Sequence, residues 1–133
     1  MKLLLDTHTF IWWDSSPQKL SRKALALCQN AENNLLLSIA SIWEIQIKIQ
    51  LGKLSLNLPL PELIESQQQT NNIELLPIDL THVLTLDSLP NHHKDPFDRL
   101  LISQAIVEDA VLVSGDSLLA NYPVKIEWQI YHL

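Results

Sequence analysis

Apolar residues fall along this chain in two patterns. Four short unbroken runs, Lys2–Leu5, Leu35–Leu37, Ile73–Leu76 and Ala110–Val113, read as strands buried on both faces, and a fifth strand is expected near Val124–Trp128. Between them apolar residues recur at helical spacing: Leu20, Ala24, Leu27 and Ala31, then Leu80, Val83, Leu84 and Leu86, then Phe97, Leu101 and Ala105. Buried strands alternating with helices predict the α/β class, with a parallel sheet covered on both faces. One segment is ambiguous. Glu44–Leu51 (EIQIKIQL) alternates strictly, as a strand does. It also presents helical rows, Ile42, Ile45 and Ile49 beside Trp43, Ile47 and Leu51, with Glu44 and Lys48 as an i,i+4 pair. Ser41-x-x-Glu44 has capping-box form and leans to helix. We take this segment as a helix, partly on the family grounds given below.

Size and composition narrow the picture. The 133 residues suit one domain, residues 1–133, and 47% hydrophobic with 18% charged residues is ordinary for a globule. Glycine occurs twice, at Gly52 and Gly115, too seldom for a loop-rich all-β protein. The single cysteine, Cys28, sits in a helical run and reads as a buried free thiol, which suits the reducing cytoplasm. The apolar stretch Leu3–Leu5 stops at Asp6, too soon for a signal peptide, and no apolar run approaches the ~20 residues of a membrane span. The net charge of −6 excludes nucleic-acid binding through a general basic field. A phosphate-bearing substrate must then be held by local cations or metal ions, and an acidic surface also attracts a basic partner.

The placement of the acids matters more than their number. Asp6 directly follows the first strand, and Asp116 follows the strand ending at Val113. Glu44 lies one to two turns into the segment after the second strand, and Asp98 lies in the first turn of the helix before the strand at Ala110–Val113. In a parallel α/β sheet, strand C-termini and helix N-termini share one edge, where ligands bind. Asp6, Glu44, Asp98 and Asp116 are therefore expected to converge there. Clustered carboxylates repel unless a cation lies between them, and an all-oxygen ligand set suits Mg²⁺ or Mn²⁺. Each acid alone also has a local reading. Asp6 could simply end a strand, Glu44 complete a capping box, and Asp116 cap a short helix at Ser117–Ala120. Asp95-Pro96 starts a helix as N-cap and N1, which would make Asp98 an acid complementing the helix dipole.

At these residues the chain resembles the PIN-domain family, and within it the VapC-type toxins. The matching pieces are LLLDTH at Leu3–His8, SIWEI at Ser41–Ile45, DPFDRLLISQA at Asp95–Ala105 and SGD at Ser114–Asp116, with FIWW at Phe10–Trp13 and LGKL at Leu51–Leu54. No piece is specific alone; four in this order are. The resemblance implies a three-layer α/β/α sandwich with a central parallel sheet of four or five strands. It implies metal-dependent cleavage of RNA, often tRNA or rRNA, neutralisation by a small co-expressed antitoxin, and homodimers. Carried over by position, Asp6, Glu44, Asp98 and Asp116 form the catalytic, metal-binding quartet, with Asp6 and Asp98 the direct ligands of Mg²⁺ or Mn²⁺. Ser114 stands where the family often has Thr, keeping a hydroxyl near the site.

Other residues leave alternatives open. His92-His93 is a polar loop or a phosphate or proton-transfer contact; a zinc site would want more nitrogen or sulfur ligands. His8 is structural or part of the site. Lys94 and Arg99 touch phosphate or are solvated, and Lys48 pairs with Glu44 or binds phosphate. Of Phe10–Trp13, four consecutive apolar residues, at least one aromatic is expected to be exposed as a partner surface. Three other functions compete: a PIN-type nuclease with a non-toxin role on RNA or DNA, a metal-dependent phosphotransfer protein, and a silent binding module. Aspartate-nucleophile phosphatases would want an Asp where His8 stands, and receiver domains a paired acid early in the chain. The presence of all four acids argues against a silent module.

Overall fold

The structure is a computed structural model that describes residues 1–91 and 95–128, with Ala120 described for its backbone only. Five strands, β1 (Lys2–Leu5), β2 (Asn34–Ser38), β3 (Glu74–Leu76), β4 (Val111–Val113) and β5 (Ile126–Glu127), form one parallel sheet in the order β3-β2-β1-β4-β5. In the central strand, Leu3 pairs with Leu35 and Val111, and Leu5 with Leu37 and Val113. Six α-helices accompany them: α1 (Thr7–Ser15), α2 (Arg22–Gln29), α3 (Ile39–Gln50), α4 (Leu60–Asn71), α5 (Leu80–Thr85) and α6 (Pro96–Val107).

The continuous apolar strands are explained by two cores. Leu3 and Leu5 face one, with Phe10, Ala24, Ile45 and Leu63 from α1 to α4; Leu4 faces the other, with Leu101, Ile102 and Ala105 of α6. Leu3, Leu4 and Leu5 are all fully buried because each face of β1 is covered. Each contributes about 1.5–3 kcal/mol by leaving water. The three-layer α/β/α sandwich expected from the resemblance is what forms.

Three local expectations change. The helix carrying Glu44 is real but begins before Ser41: Ser38 caps it, its side chain accepting the Ala40 N–H. Ser41 and Glu44 therefore form no capping box; both turn inward, to Thr7. The second helix covers Arg22–Gln29 rather than Leu20–Ala31, because Ser21 caps it through the Ala24 N–H. Helix α4 was not foreseen, since its run SQQQTN hides a short apolar row, Leu60, Leu63 and Ile64. Gly52, at φ 71°, supplies the left-handed residue after α3.

The strand order sets the site. From β1 the chain winds outward to β2 and β3 on one side, then crosses to β4 and β5 on the other. Connections leave the C-terminal ends of β1 and β4 in opposite directions and open a crevice between them.

Candidate active site at the strand switch point

Asp6 stands at that crevice. Its N–H donates to Val113 O at 3.2 Å, joining the ends of β1 and β4. Its Oδ1 accepts the Thr9 N–H at 2.8 Å, so Asp6 also caps α1, and Thr9 Oγ1 donates to the same Val113 carbonyl at 3.0 Å. The side chain is buried and its rotamer fixed, yet among the described residues no donor reaches its second oxygen. Asp116 faces it across the crevice. Its N–H donates to Ser114 Oγ at 3.1 Å and its Oδ1 accepts the Leu118 N–H at 3.0 Å, capping a 3-10 turn over Ser117–Asn121. Ser114 thus keeps the hydroxyl expected of it and uses it to hold the Asp116 backbone. Gly115 lets Trp128 approach closely: a Cβ there would lie 3.0 Å from Trp128 Cε2, so the indole would have to shift by a few tenths of an ångström. Asp6, Asp116, His8, Trp12, Lys19 and Trp128 line a cleft of about 490 Å³.

Glu44 reaches the same edge from α3. Its Oε1 accepts from Thr7 Oγ1 at 2.7 Å, and its Oε2 pairs with Lys48 Nζ at 3.0 Å. Thr7 is the residue after Asp6, so this bond ties the Glu44 carboxylate to the end of β1. Asp98 sits in the first turn of α6, behind the N-cap Asp95, whose side chain accepts the Phe97 N–H. Phe97 meets Trp43 edge-on at 5.3 Å, which sets the first turn of α6 against α3 next to Glu44. The structure therefore brings Asp6 and Asp116 into one cleft and links Glu44 to Asp6 through Thr7. Asp98 stands in the first turn of α6, which meets α3 through the Phe97–Trp43 contact. The donor chemistry is all oxygen, with Asp6 and Asp98 at helix N-termini and Glu44 inside α3, and fits a hard divalent cation.

A second cluster competes on proximity alone. Among the described residues, the one group of three His, Cys, Asp or Glu with ligand atoms within 4.8 Å of one another is Asp79, His82 and Glu108. It lies past the other end of α6, about 15 Å along the helix from Asp98 at ~1.5 Å per residue. His82 is fully buried. Its Nδ1 accepts the Asp79 N–H at 2.9 Å, so its proton sits on Nε2 and is donated to Glu108 Oε2 at 3.0 Å. Neither ring nitrogen retains a lone pair for a metal. With Ser103 Oγ donating to His82 O, and Gln104 Nε2 to Pro77 O at 3.2 Å, this network clamps α5 onto α6.

Sequence reasoning missed Thr7 and Thr9, which hold Glu44 and Asp6; two threonines following a strand-ending Asp were the available signal. It missed the His82 clamp entirely. Arg99 is structural: its guanidinium donates to Pro90 O at 2.8 Å, Tyr122 OH at 3.3 Å and Leu86 O at 3.4 Å. His92, His93 and Lys94 lie outside the described residues. His8 stacks at 5.9 Å on Trp12. The exposed aromatic expected among Phe10–Trp13 is not there. Phe10 is fully buried and Ile11, Trp12 and Trp13 are half-buried, because α1 packs against both α3 and the sheet. Exposed apolar area lies instead on Trp43, at 59% exposed, and on Leu80, Val83 and Leu84 of α5.

A cleft lined by acids at the switch point of a parallel sheet is where an α/β protein binds a ligand, and comparison with known proteins supplies the class. The PIN-domain family model matches residues 3–125, and the chain belongs to that family. Over 121 residues it is 29% identical to a protein named Ribonuclease VapC22 from Mycobacterium tuberculosis, covering 90% of this chain and 91% of that one. VapBC2 from Rickettsia felis, solved bound to a DNA fragment from its promoter, superposes with a TM-score of 0.73 at 17% identity, covering 97% of this chain and 100% of that one. DNA-bound VapBC from Salmonella typhimurium gives 0.68 at 18% identity, covering 96% and 97%. The resemblance drawn from the four motifs is borne out.

Proposed function

We propose that this protein is a Mg²⁺-dependent endoribonuclease, with Mn²⁺ as an alternative ion, acting as the toxin of a toxin–antitoxin pair. The observation that carries this is the crevice: Asp6 is held rigidly by Thr9 and Val113 with one oxygen unengaged, in a cleft shared with Asp116 and tied to Glu44. Asp6 and Asp98 are the direct metal ligands in this reading, with Glu44 and Asp116 completing the quartet. When bound there, a divalent ion polarises the phosphodiester and activates a water. The chain's own residues do the rest. Thr9 and Thr7 fix the rotamers of Asp6 and Glu44, Lys48 offsets charge on Glu44, and Ser114 holds Asp116 toward the cleft. Rigid positioning of this kind is how such a site lowers a barrier without reorganising.

The toxin role rests on the ribonuclease name of the Mycobacterium tuberculosis relative and on the VapBC assemblies among the structural neighbours. In this reading residues 1–133 are one PIN domain in the cytoplasm, forming homodimers, with tRNA or rRNA as substrate. A small antitoxin restrains it, its disordered C-terminal part folding on the α1 and α3 faces and an Arg pairing with two of the carboxylates.

Purified protein is expected to cleave RNA with Mg²⁺ or Mn²⁺ and to stop in excess EDTA. Undiminished cleavage in EDTA by protein free of contaminating nuclease would refute the metal role. Expression alone should arrest growth, Asp6→Ala should relieve it, and a small protein should co-purify from the native host. Harmless overexpression of active protein with no such partner would leave a nuclease that is not a toxin.

A further inference from the structure

The acidic crevice continues into a second groove of opposite charge. The cleft holding Asp6 and Asp116 shares His8, Trp12 and Lys19 with a neighbouring cleft of about 390 Å³ that Lys48 and Lys53 also line. The chain has nine Lys and Arg in total, and three of them border this one groove.

The partners of the remaining cations set two apart. Lys23 pairs with Glu127, Lys125 with Asp109 and Lys48 with Glu44, while Lys2 and Arg99 bond carbonyl oxygens. Arg22 is also engaged. Among the described residues, Lys19 and Lys53 alone have no ion pair or hydrogen bond through their side chains, although the chain carries 15 acids. Both are exposed, and both line the groove that runs away from the acids. In a chain of net charge −6, two uncompensated ammonium groups on one groove are arranged for an anion from outside.

The groove also offers flat rings. The ring centroids of His8 and Trp12 lie 5.9 Å apart at a 31° tilt and those of Trp12 and Trp128 6.4 Å apart at 50°, and Trp128 lies against Gly115 beside Asp116. Successive aromatic faces next to a cationic track are the means by which single strands are held without reading sequence: phosphates on the cations, bases on the rings. A duplex presents neither unstacked bases nor a ribbon narrow enough for such a cleft.

We propose that this groove is the substrate track: single-stranded RNA runs from the acidic crevice over His8, Trp12 and Trp128, and its flanking phosphates bind Lys19 and Lys53. The inference rests on the ribonuclease reading of the crevice and extends it to the direction from which the strand approaches and the side chains that hold it.

Binding is measured in EDTA, where it is separable from cleavage, by anisotropy of a labelled single-stranded RNA of about 12 nucleotides and by quenching of Trp fluorescence. Lys19→Glu/Lys53→Glu should weaken binding at least about tenfold. It should also flatten the plot of log affinity against log salt by about 1.4, at ~0.7 for each single-strand phosphate no longer neutralised. Lys125→Glu, at the strand edge opposite the crevice, should do neither, and duplex RNA of the same sequence should bind at least about tenfold more weakly to wild type. Circular dichroism checks that the variants fold. Wild-type affinity and salt slope in the double variant would overturn the track, as would equal damage from Lys125→Glu or equal binding of duplex. Loss of a co-purifying protein partner with RNA binding intact would assign the groove to that partner instead. Wild type that cleaves no RNA in Mg²⁺ or Mn²⁺ would sink the ribonuclease reading, while the EDTA arm still reports whether the groove binds a strand.

Discussion

Two clusters of titratable side chains lie at opposite ends of α6, and they are built on opposite principles. At the Asp79–His82–Glu108 end the groups are close, and His82 is fully engaged: each of its ring nitrogens has a partner. At the Asp6–Asp116 end the two acids line one cleft, and Asp6 is held by one oxygen while among the described residues no donor reaches the other. Proximity alone would select the first as a metal site. Remaining bonding capacity selects the second. A buried polar group already paired stabilises the fold and has nothing to offer a ligand, whereas a rigid, incompletely satisfied one is poised to bind.

The largest effect separating the two should come from Asp6→Asn. Asparagine caps a helix as well as aspartate does, so α1 should keep its stability. Loss of a charged ligand should lower RNA cleavage about 100-fold or more, since even groups behind the ligands contribute 10- to 100-fold. Initial rates in Mn²⁺ with a thermal melt would check this, and an inactive variant that is also badly destabilised would show Asp6 to be mainly structural. At the other end, His82→Ala should leave the Asp79 N–H and Glu108 without partners and open a cavity, costing about 3 kcal/mol in urea denaturation. Activity per folded molecule should stay near wild type.

Metal linkage sharpens the contrast. At ~100 times its dissociation constant, Mn²⁺ should stabilise wild type by about 2.7 kcal/mol. Asp6→Asn should lose most of that gain and Glu108→Gln none of it, as read by thermal melts with and without the ion. The reverse ranking would move the metal to the His82 end. A smaller effect is expected of Asp95→Asn beside Asp98: about 1 kcal/mol or less in stability, with cleavage within about threefold of wild type, because Asn can keep the cap that Asp95 gives α6.

Cys28 is a buried group with neither kind of partner, and its effect is confined to high pH. Burial pushes its thiol up from 9.0 to about 11. The unfolded chain then loses this proton at lower pH than the folded one, so stability falls as pH rises from about 9 to about 11 and is unaffected below. Urea melts at pH 8 and pH 10.5 should show this fall in wild type and not in Cys28→Ala, with cleavage at neutral pH alike in both.

Much of this was legible in the chain. Runs such as Leu3–Leu5 can only be strands covered twice, because burial on both faces leaves no polar alternation, and that alone determined a parallel sheet between helices. Acids placed after strands or early in helices were expected on one edge, where Asp6 and Asp116 do share a cleft, and Asp95-Pro96 announced the start of α6. What tertiary structure decided was which polar groups are already satisfied. Ser41 and Glu44 spelled a local cap, yet Ser38 takes that role because β2 ends there, freeing Glu44 for Thr7. Arg99 read as either a phosphate contact or a solvated side chain, and three oxygens from elsewhere in the fold took its guanidinium instead; His82 gave no sign of its partner 26 residues away. Periodicity is a local property and survives in sequence; hydrogen-bond satisfaction depends on groups brought together only by the fold, so the same residue types can clamp one end of a helix and stand ready for a ligand at the other.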